Sequence, residues 1–175
     1  MQKQPHLYLV GMSGVGKSTV GNILTTRYQY PSIDTDQYLE DMEEKTIAEI
    51  FQYDGEFVFR RLESETLLEL SQRRIPHLII TGGGMILDSQ NRQIMQETGK
   101  VIYLQASSPI LRQRLLNEME WQKRPLLQEN WENKLETMLV RRDPLYREVA
   151  DLVVRTDHLT SEEVVEEILR NISRV

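Results

Sequence analysis

The sequence predicts an α/β fold, a parallel sheet sandwiched between helices. Short apolar runs alternate along the chain with stretches of helical periodicity, the pattern of successive βαβ units. Two of those runs, Leu78-Ile79-Ile80 and Val101-Ile102-Tyr103-Leu104, are near-continuously apolar, as strands covered on both faces must be. The first run, Leu7-Tyr8-Leu9-Val10, opens directly onto a glycine-rich turn and a helix-prone segment, which makes a strand–loop–helix unit.

The elements follow in order. Strands are expected at residues 7–10, 32–34, 78–81, 101–105 and 152–155; the second is short and is placed by its neighbours. The first helix is expected over 18–28. Residues 46–51 begin with a capping box, Thr46-x-x-Glu49, and read as a helix start. Residues 56–73 form a long amphipathic stretch with Leu62, Leu67, Leu68 and Leu70 available for the core. Further helices are expected at 89–97 and 109–119. Residues 131–142 and 145–149 read as two helices flanking a break at Asp143-Pro144, because proline disfavours helix at the residue before it. The last helix, 161–173, follows a second capping box, Thr160-x-x-Glu163. Between Met119 and Trp131 lies a polar segment with a proline and two adjacent cations, expected as a loop of about 120–130 that covers a site.

Composition bounds the function. A chain of 175 residues suits one domain, and 39% hydrophobic with 27% charged residues is ordinary for a globular one. No apolar run approaches the ~20 residues needed to cross a bilayer, and the first strand follows Pro5 with no signal peptide between, so neither a membrane nor export is expected. The chain has no cysteine, which excludes disulfides, thiolate metal sites and a cysteine nucleophile and fits a cytoplasmic location. His6, His77 and His158 show no metal-ligand spacing. A net charge of −6 argues against nucleic acid as a partner, so any anionic ligand requires cations gathered locally.

Four groups of residues carry chemistry. Gly11-Met12-Ser13-Gly14-Val15-Gly16-Lys17-Ser18 matches G-x-x-x-x-G-K-[ST] at every fixed position, in the strand–loop–helix context that the pattern requires. Its glycines let backbone N–H groups curl around a phosphate at the positive end of the following helix. Lys17 has the reach for the β- and γ-phosphates, and the Ser18 hydroxyl suits Mg²⁺. Asp34-Thr35-Asp36 follows the second strand; in an extended segment residues i and i+2 share a side, so two carboxylates converge, although Asp36 equally fits a helix cap. Thr81-Gly82-Gly83-Gly84 follows the third strand and presents N–H groups closely to a ligand, where a plain connector would be entropically costly. Arginines at 60, 61, 112, 114, 124, 141 and 142 are each a solvated surface residue by default, yet guanidinium is the preferred partner of carboxylate and phosphate.

In series, the phosphate loop, Asp34-Thr35-Asp36, Phe59-Arg60-Arg61-Leu62-Glu63, Gly82-Gly83-Gly84, Arg124-Pro125-Leu126-Leu127 and Arg142-Asp143-Pro144-Leu145-Tyr146 resemble the shikimate kinases, P-loop kinases of the nucleoside monophosphate kinase superfamily. The resemblance covers nearly the whole chain. It implies a three-layer α/β/α P-loop kinase domain over 1–175, a five-stranded parallel sheet of order 2-3-1-4-5, a shikimate-binding region at about 34–62 and a mobile lid.

It also implies roles. Gly14, Val15, Gly16, Lys17, Ser18 and Thr19 resemble the ATP site, with Lys17 on the transferred phosphate. Ser18 and Asp34 resemble the site of one Mg²⁺ ion. Asp36 resembles the residue that binds the acceptor hydroxyl, and Arg60 and Arg142 the pair that grips the shikimate carboxylate, with Gly82, Gly83 and Gly84 lining that pocket. Glu63, one turn after Arg60, suits an i, i+3 pair that orients it. Arg124 resembles the lid arginine, and Arg114 and residues 156–159 the adenine side. Some members carry an arginine inside the phosphate loop where this chain has Met12 and Ser13, and basic residues near the position of His158. The implied activity is transfer of phosphate from ATP to the shikimate 3-hydroxyl by a cytoplasmic monomer. A gluconate kinase and a nucleotide-binding module without catalysis are the alternatives.

Overall fold

A computed structural model describes residues 5–117 and 130–172. Five parallel strands form the sheet: β1 (His6–Val10), β2 (Ser32–Asp34), β3 (Leu78–Ile80), β4 (Gly99–Gln105) and β5 (Leu152–Arg155). Their order is β2-β3-β1-β4-β5, as the resemblance implies. β1 lies at the centre, with Leu9 opposite Ile80 on one side and Ile102 on the other. Its five residues are all buried, as are the three of β3. Both faces of these strands are therefore covered, which is why their sequences run apolar without alternation.

The helices are α1 (Lys17–Tyr28), α2 (Thr35–Glu43), the single turn α3 (Ile47–Glu49), α4 (Gly55–Ser71), α5 (Ser89–Thr98), α6 (Ser108–Asn117), α7 (Trp131–Val149) and α8 (Ser161–Ile172). α1 packs against α8, whereas α5 packs against both α4 and α7, so the sheet is the middle layer of three. One core runs through the sheet; a smaller cluster of Leu39, Ile50 and Phe59 sits under α2, α3 and α4. Both capping boxes form: Thr46 Oγ1 accepts from Glu49 N at 3.2 Å while Glu49 accepts from Thr46 N at 2.8 Å, and Thr160 and Glu163 do the same at 3.2 and 2.7 Å. No helix among the described residues is long and apolar enough to cross a membrane.

Three expectations need correction. α7 does not break at Asp143-Pro144; it runs unbroken from Trp131 to Val149 with Pro144 inside. Proline there forgoes one backbone bond, but Asp143 and Tyr146 on either side are tied to other elements and hold the helix through it. Leu68 is not a core residue: it is 47% exposed, while its neighbours Leu67 and Leu70 are buried. The capping box of Thr46 begins only one α-turn, which passes into a π-helical turn, Ile50–Asp54, before Gly55 restarts the chain as α4.

Candidate active site

The loop between β1 and α1 holds three glycines at positive φ, Gly11 at 146°, Gly14 at 80° and Gly16 at 103°. A side chain at any of them would be strained. Gly16 precedes α1 and supplies no side-chain cap, and the positive end of that helix faces the loop. Lys17 folds back over the loop, its Nζ donating to the Gly11 carbonyl at 2.8 Å and the Met12 carbonyl at 3.0 Å. Ser18 Oγ donates to Asp34 Oδ2 at 3.0 Å, which joins the loop to the end of β2.

Asp34 and Asp36 do converge, but not through an extended segment. Asp34 ends β2 and is the N-cap of α2, its Oδ1 accepting from the Asp36 N–H at 3.0 Å and the Gln37 N–H at 3.4 Å. The cap is therefore Asp34, and Asp36 stands in the first helical turn, where its negative charge is favoured. Thr35 between them is buried, and its Oγ1 accepts from Gly82 N–H at 3.0 Å. The two motifs are thereby tied across the mouth of the sheet. Sequence reasoning passed over Thr35; a β-branched hydroxyl between two carboxylates at a strand end was the available signal.

A cavity of about 420 Å³ opens at the carboxyl ends of the strands. Lys17, Asp36, Arg60, Glu63 and Arg142 line it together with the glycine turn. Gly82 and Gly84 are required by close approach. A Cβ on Gly82 would stand 2.6 Å from Asp36 Oδ1 and 2.8 Å from Glu63 Oε1, and one on Gly84 would collide with the Arg60 guanidinium. Arg60 Nη1 donates to Glu63 Oε2 at 2.6 Å and Nη2 to Glu56 Oε1 at 3.2 Å. Glu63 is almost wholly buried, and burial pushes its pKa up to about 7 against the pull of Arg60. Arg142 is 6% exposed and its Nε has no hydrogen-bond partner. Burial lowers its pKa, and the like charge of Arg60 adds to the effect. Two guanidiniums crowded into a half-enclosed site are costly unless an anion joins them.

α7 holds Arg142 in place from below. Asp143 accepts from Tyr103 Oη at 2.7 Å, from Gln105 Nε2 at 2.8 Å and from Arg147 Nε at 2.7 Å, which pins the helix to β4. Tyr146 Oη donates to the Gly83 carbonyl at 2.6 Å. Tyr146, like Thr35, was not singled out as a functional residue from sequence.

The remaining site residues divide. Ser13, Gly14, Gly16, Ser18, Thr19 and Asp34 line the same cavity. Val15 is buried and does not line it, and neither does Arg114. Arg114 Nη1 donates to the Val15 carbonyl at 3.0 Å and to Thr156 Oγ1 at 2.9 Å, and Nη2 donates to the Thr156 carbonyl at 2.8 Å. It clamps the phosphate loop to the chain after β5. Arg124 and most of the lid segment lie outside the described residues. Among the described residues no group of three or more His, Cys, Asp and Glu side chains gathers to hold a metal by itself. Ser18 and Asp34 together offer a hydroxyl and a carboxylate oxygen, the hard donors that suit Mg²⁺ when phosphate and water complete the shell.

The family model described as "Shikimate kinase" matches residues 13–173. "Shikimate kinase 2" of Photorhabdus laumondii is 41% identical over 159 residues, which is 90% of each chain. A "Shikimate kinase" of Dechloromonas aromatica is 38% identical over 176 residues, covering 100% of this chain and 94% of its own. Among solved structures, the shikimate kinase from Acinetobacter baumannii in complex with shikimate superposes with a TM-score of 0.91 at 37% identity, over 99% of this chain and 95% of that one.

Proposed function

The chain belongs to the shikimate kinase family, and from that premise we propose how its residues divide the work. The activity is transfer of the γ-phosphoryl group of ATP to the 3-hydroxyl of shikimate, giving shikimate 3-phosphate and ADP. The observation that carries the division of labour is the pair of guanidiniums, Arg60 and Arg142, lining one cavity with Lys17 and Asp36. A planar carboxylate between the two arginines would cancel their repulsion, and fork-to-fork hydrogen bonds would fix its orientation. The gluconate kinase alternative is set aside with the family, and the alternative without catalysis is disfavoured by the retention of Lys17 and Asp36.

In this reading the triphosphate lies along residues 14–19, its β- and γ-phosphates over the N-terminus of α1. Ser18 and Asp34 would hold one Mg²⁺, which when bound neutralises charge on the transferring phosphate. Lys17 leaves its two loop carbonyls for the γ-phosphate and stabilises the charge of the transition state. Asp36 orients the acceptor hydroxyl and takes its proton as the oxygen–phosphorus bond forms and the bond to ADP breaks. Gly82, Gly83 and Gly84 form the wall of the acceptor pocket. Arg124 closes on the phosphates from the lid, and water is excluded as a competing acceptor. Arg114 stands at the adenine side, where Nη1 and Nη2 already donate to Val15 and Thr156, so it would offer the face of its guanidinium. The working unit is one chain as a single catalytic domain, monomeric and cytoplasmic, in keeping with the size of the chain, its family and the lack of cysteine.

A coupled assay of ADP release against shikimate, gluconate and nucleoside monophosphates, with and without Mg²⁺, tests the reading. Turnover is expected with shikimate and Mg²⁺ only. Faster turnover with gluconate, or Mg²⁺-independent turnover, would overturn it.

A further inference from the structure

Tyr146 is a buried phenol at the point where three motifs meet. It is 1% exposed. Its ring stacks on Tyr103 with centroids 4.8 Å apart and planes at 25°, so packing alone would be served equally by phenylalanine. The hydroxyl is what differs. A phenol has one proton to give, and it goes to the Gly83 carbonyl at 2.6 Å. Its oxygen is then left as an acceptor beside the Arg142 guanidinium, whose Nη1 also reaches the glycine turn, 3.5 Å from where a Cβ on Gly83 would stand. Arg142 and Tyr146 are i and i+4 on α7, on one face of that helix. Met12 of the phosphate loop approaches the same hydroxyl, with Sδ at 4.0 Å.

Arg142 needs such a support. A long side chain in a site next to a second guanidinium has several rotamers and a repulsive neighbour, and its Nε has no hydrogen-bond partner of its own. A single hydroxyl that faces the guanidinium and donates to the glycine turn at 2.6 Å joins both walls of the pocket at one atom. Binding a rigid anion then costs little reordering.

We propose that Tyr146 is a positioning residue for the acceptor substrate: its hydroxyl sets the Arg142 guanidinium against the Gly83 carbonyl and so builds the carboxylate half of the pocket. This rests on the reading of Arg142 as a carboxylate-binding residue. Tyr146 does not line the cavity, whereas Arg142 does, and the effect of Tyr146 is carried through Arg142.

Tyr146→Phe keeps the ring and removes the hydroxyl. Its KM for shikimate is expected to rise about ten- to a hundredfold, the effect of a lost hydrogen bond to a charged group, with the KM for ATP unchanged. A merely structural hydroxyl would move both KM values, or neither while lowering the melting temperature. Arg142→Lys separates the proposal from the reading beneath it. If Arg142→Lys leaves the shikimate KM alone, the carboxylate reading fails. If Arg142→Lys raises it and Tyr146→Phe does not, the positioning role alone fails. The double variant should be little worse than Arg142→Lys, because the two act through one group. Additive losses, or a Tyr146→Phe protein that does not fold, would overturn the proposal.

Discussion

Arg60 Nη1 donates to Glu63 Oε2 at 2.6 Å, and the carboxyl that receives it is only 2% exposed. The arginine proposed to meet the substrate is thus aimed by a buried acid one turn further along α4. That acid also faces Asp36 and Arg142. Its environment is a compromise: burial raises its pKa, Arg60 pulls it down, Asp36 pushes it up and Arg142 lowers it, and it settles at about 7.

The sign of the resulting pH dependence follows. Glu63 titrates near 4.5 in a free chain and near 7 in the folded protein, so between those values the folded state holds a proton that the unfolded state has lost. Its contribution is full below 4.5 and disappears as the pH rises through 7. Over that window the wild type is expected to lose roughly 3 kcal/mol that Glu63→Gln does not lose. Urea unfolding of both proteins from pH 4.5 to 8 measures the difference. A gap that is constant across that range would place Glu63 as ionised throughout.

Breaking the pair from the other side separates stability from binding. Arg60→Ala leaves Glu63 buried without its ion-pair partner, and a melting temperature several degrees lower is expected. The shikimate KM should rise about a hundredfold with the loss of a charge-assisted contact. Adding Glu63→Gln should recover most of the stability and none of the KM. Recovery of both would mean that Arg60 acts on the fold alone.

Gly82 tests the geometry of the carboxylates. Its φ is not in the left-handed region, so alanine there is opposed by space alone. The added Cβ meets Asp36 Oδ1 at 2.6 Å and Glu63 Oε1 at 2.8 Å, and both carboxylates must give way. Displacing Asp36 by an ångström is expected to lower kcat about a hundredfold while the KM for ATP holds. A Gly82→Ala enzyme with wild-type kcat would show that Asp36 is not held against that turn.

Much of this was legible in the sequence where local chemistry and tertiary structure agree. The runs around Leu9, Ile79 and Ile102 read as buried strands because an apolar run needs cover on both faces. The phosphate loop is legible because its backbone conformation needs glycine at 14 and 16. What was not legible depends on partners distant in sequence. Pro144 signals a helix end locally, but Asp143 and Tyr146 are tied to Tyr103, Gln105 and Gly83, and those bonds carry α7 through it. Leu68 fits the apolar stripe of α4 yet faces outward, since only its neighbours Leu67 and Leu70 meet the sheet. The role of Thr35 lies in the bond it accepts from Gly82, 47 residues away in sequence.

Lys17 is the residue on which donor and acceptor halves depend together. In the structure its Nζ donates to the Gly11 and Met12 carbonyls at 2.8 and 3.0 Å, which hold the ammonium over the loop. A methionine of similar length would keep the packing and remove the charge. Ground-state binding of ATP draws on the loop N–H groups and the α1 terminus as well, so its KM should change little. The charge that builds on the transferring phosphoryl group and the departing β-phosphate has no such reserve. Lys17→Met is therefore expected to lower kcat by two to three orders of magnitude, roughly the effect of removing one preorganised donor from a transition state, with the shikimate KM within a few-fold of wild type. Steady-state kinetics with each substrate varied in turn measures all three constants. A loss confined to the KM for ATP would make Lys17 a nucleotide-binding residue without a catalytic share.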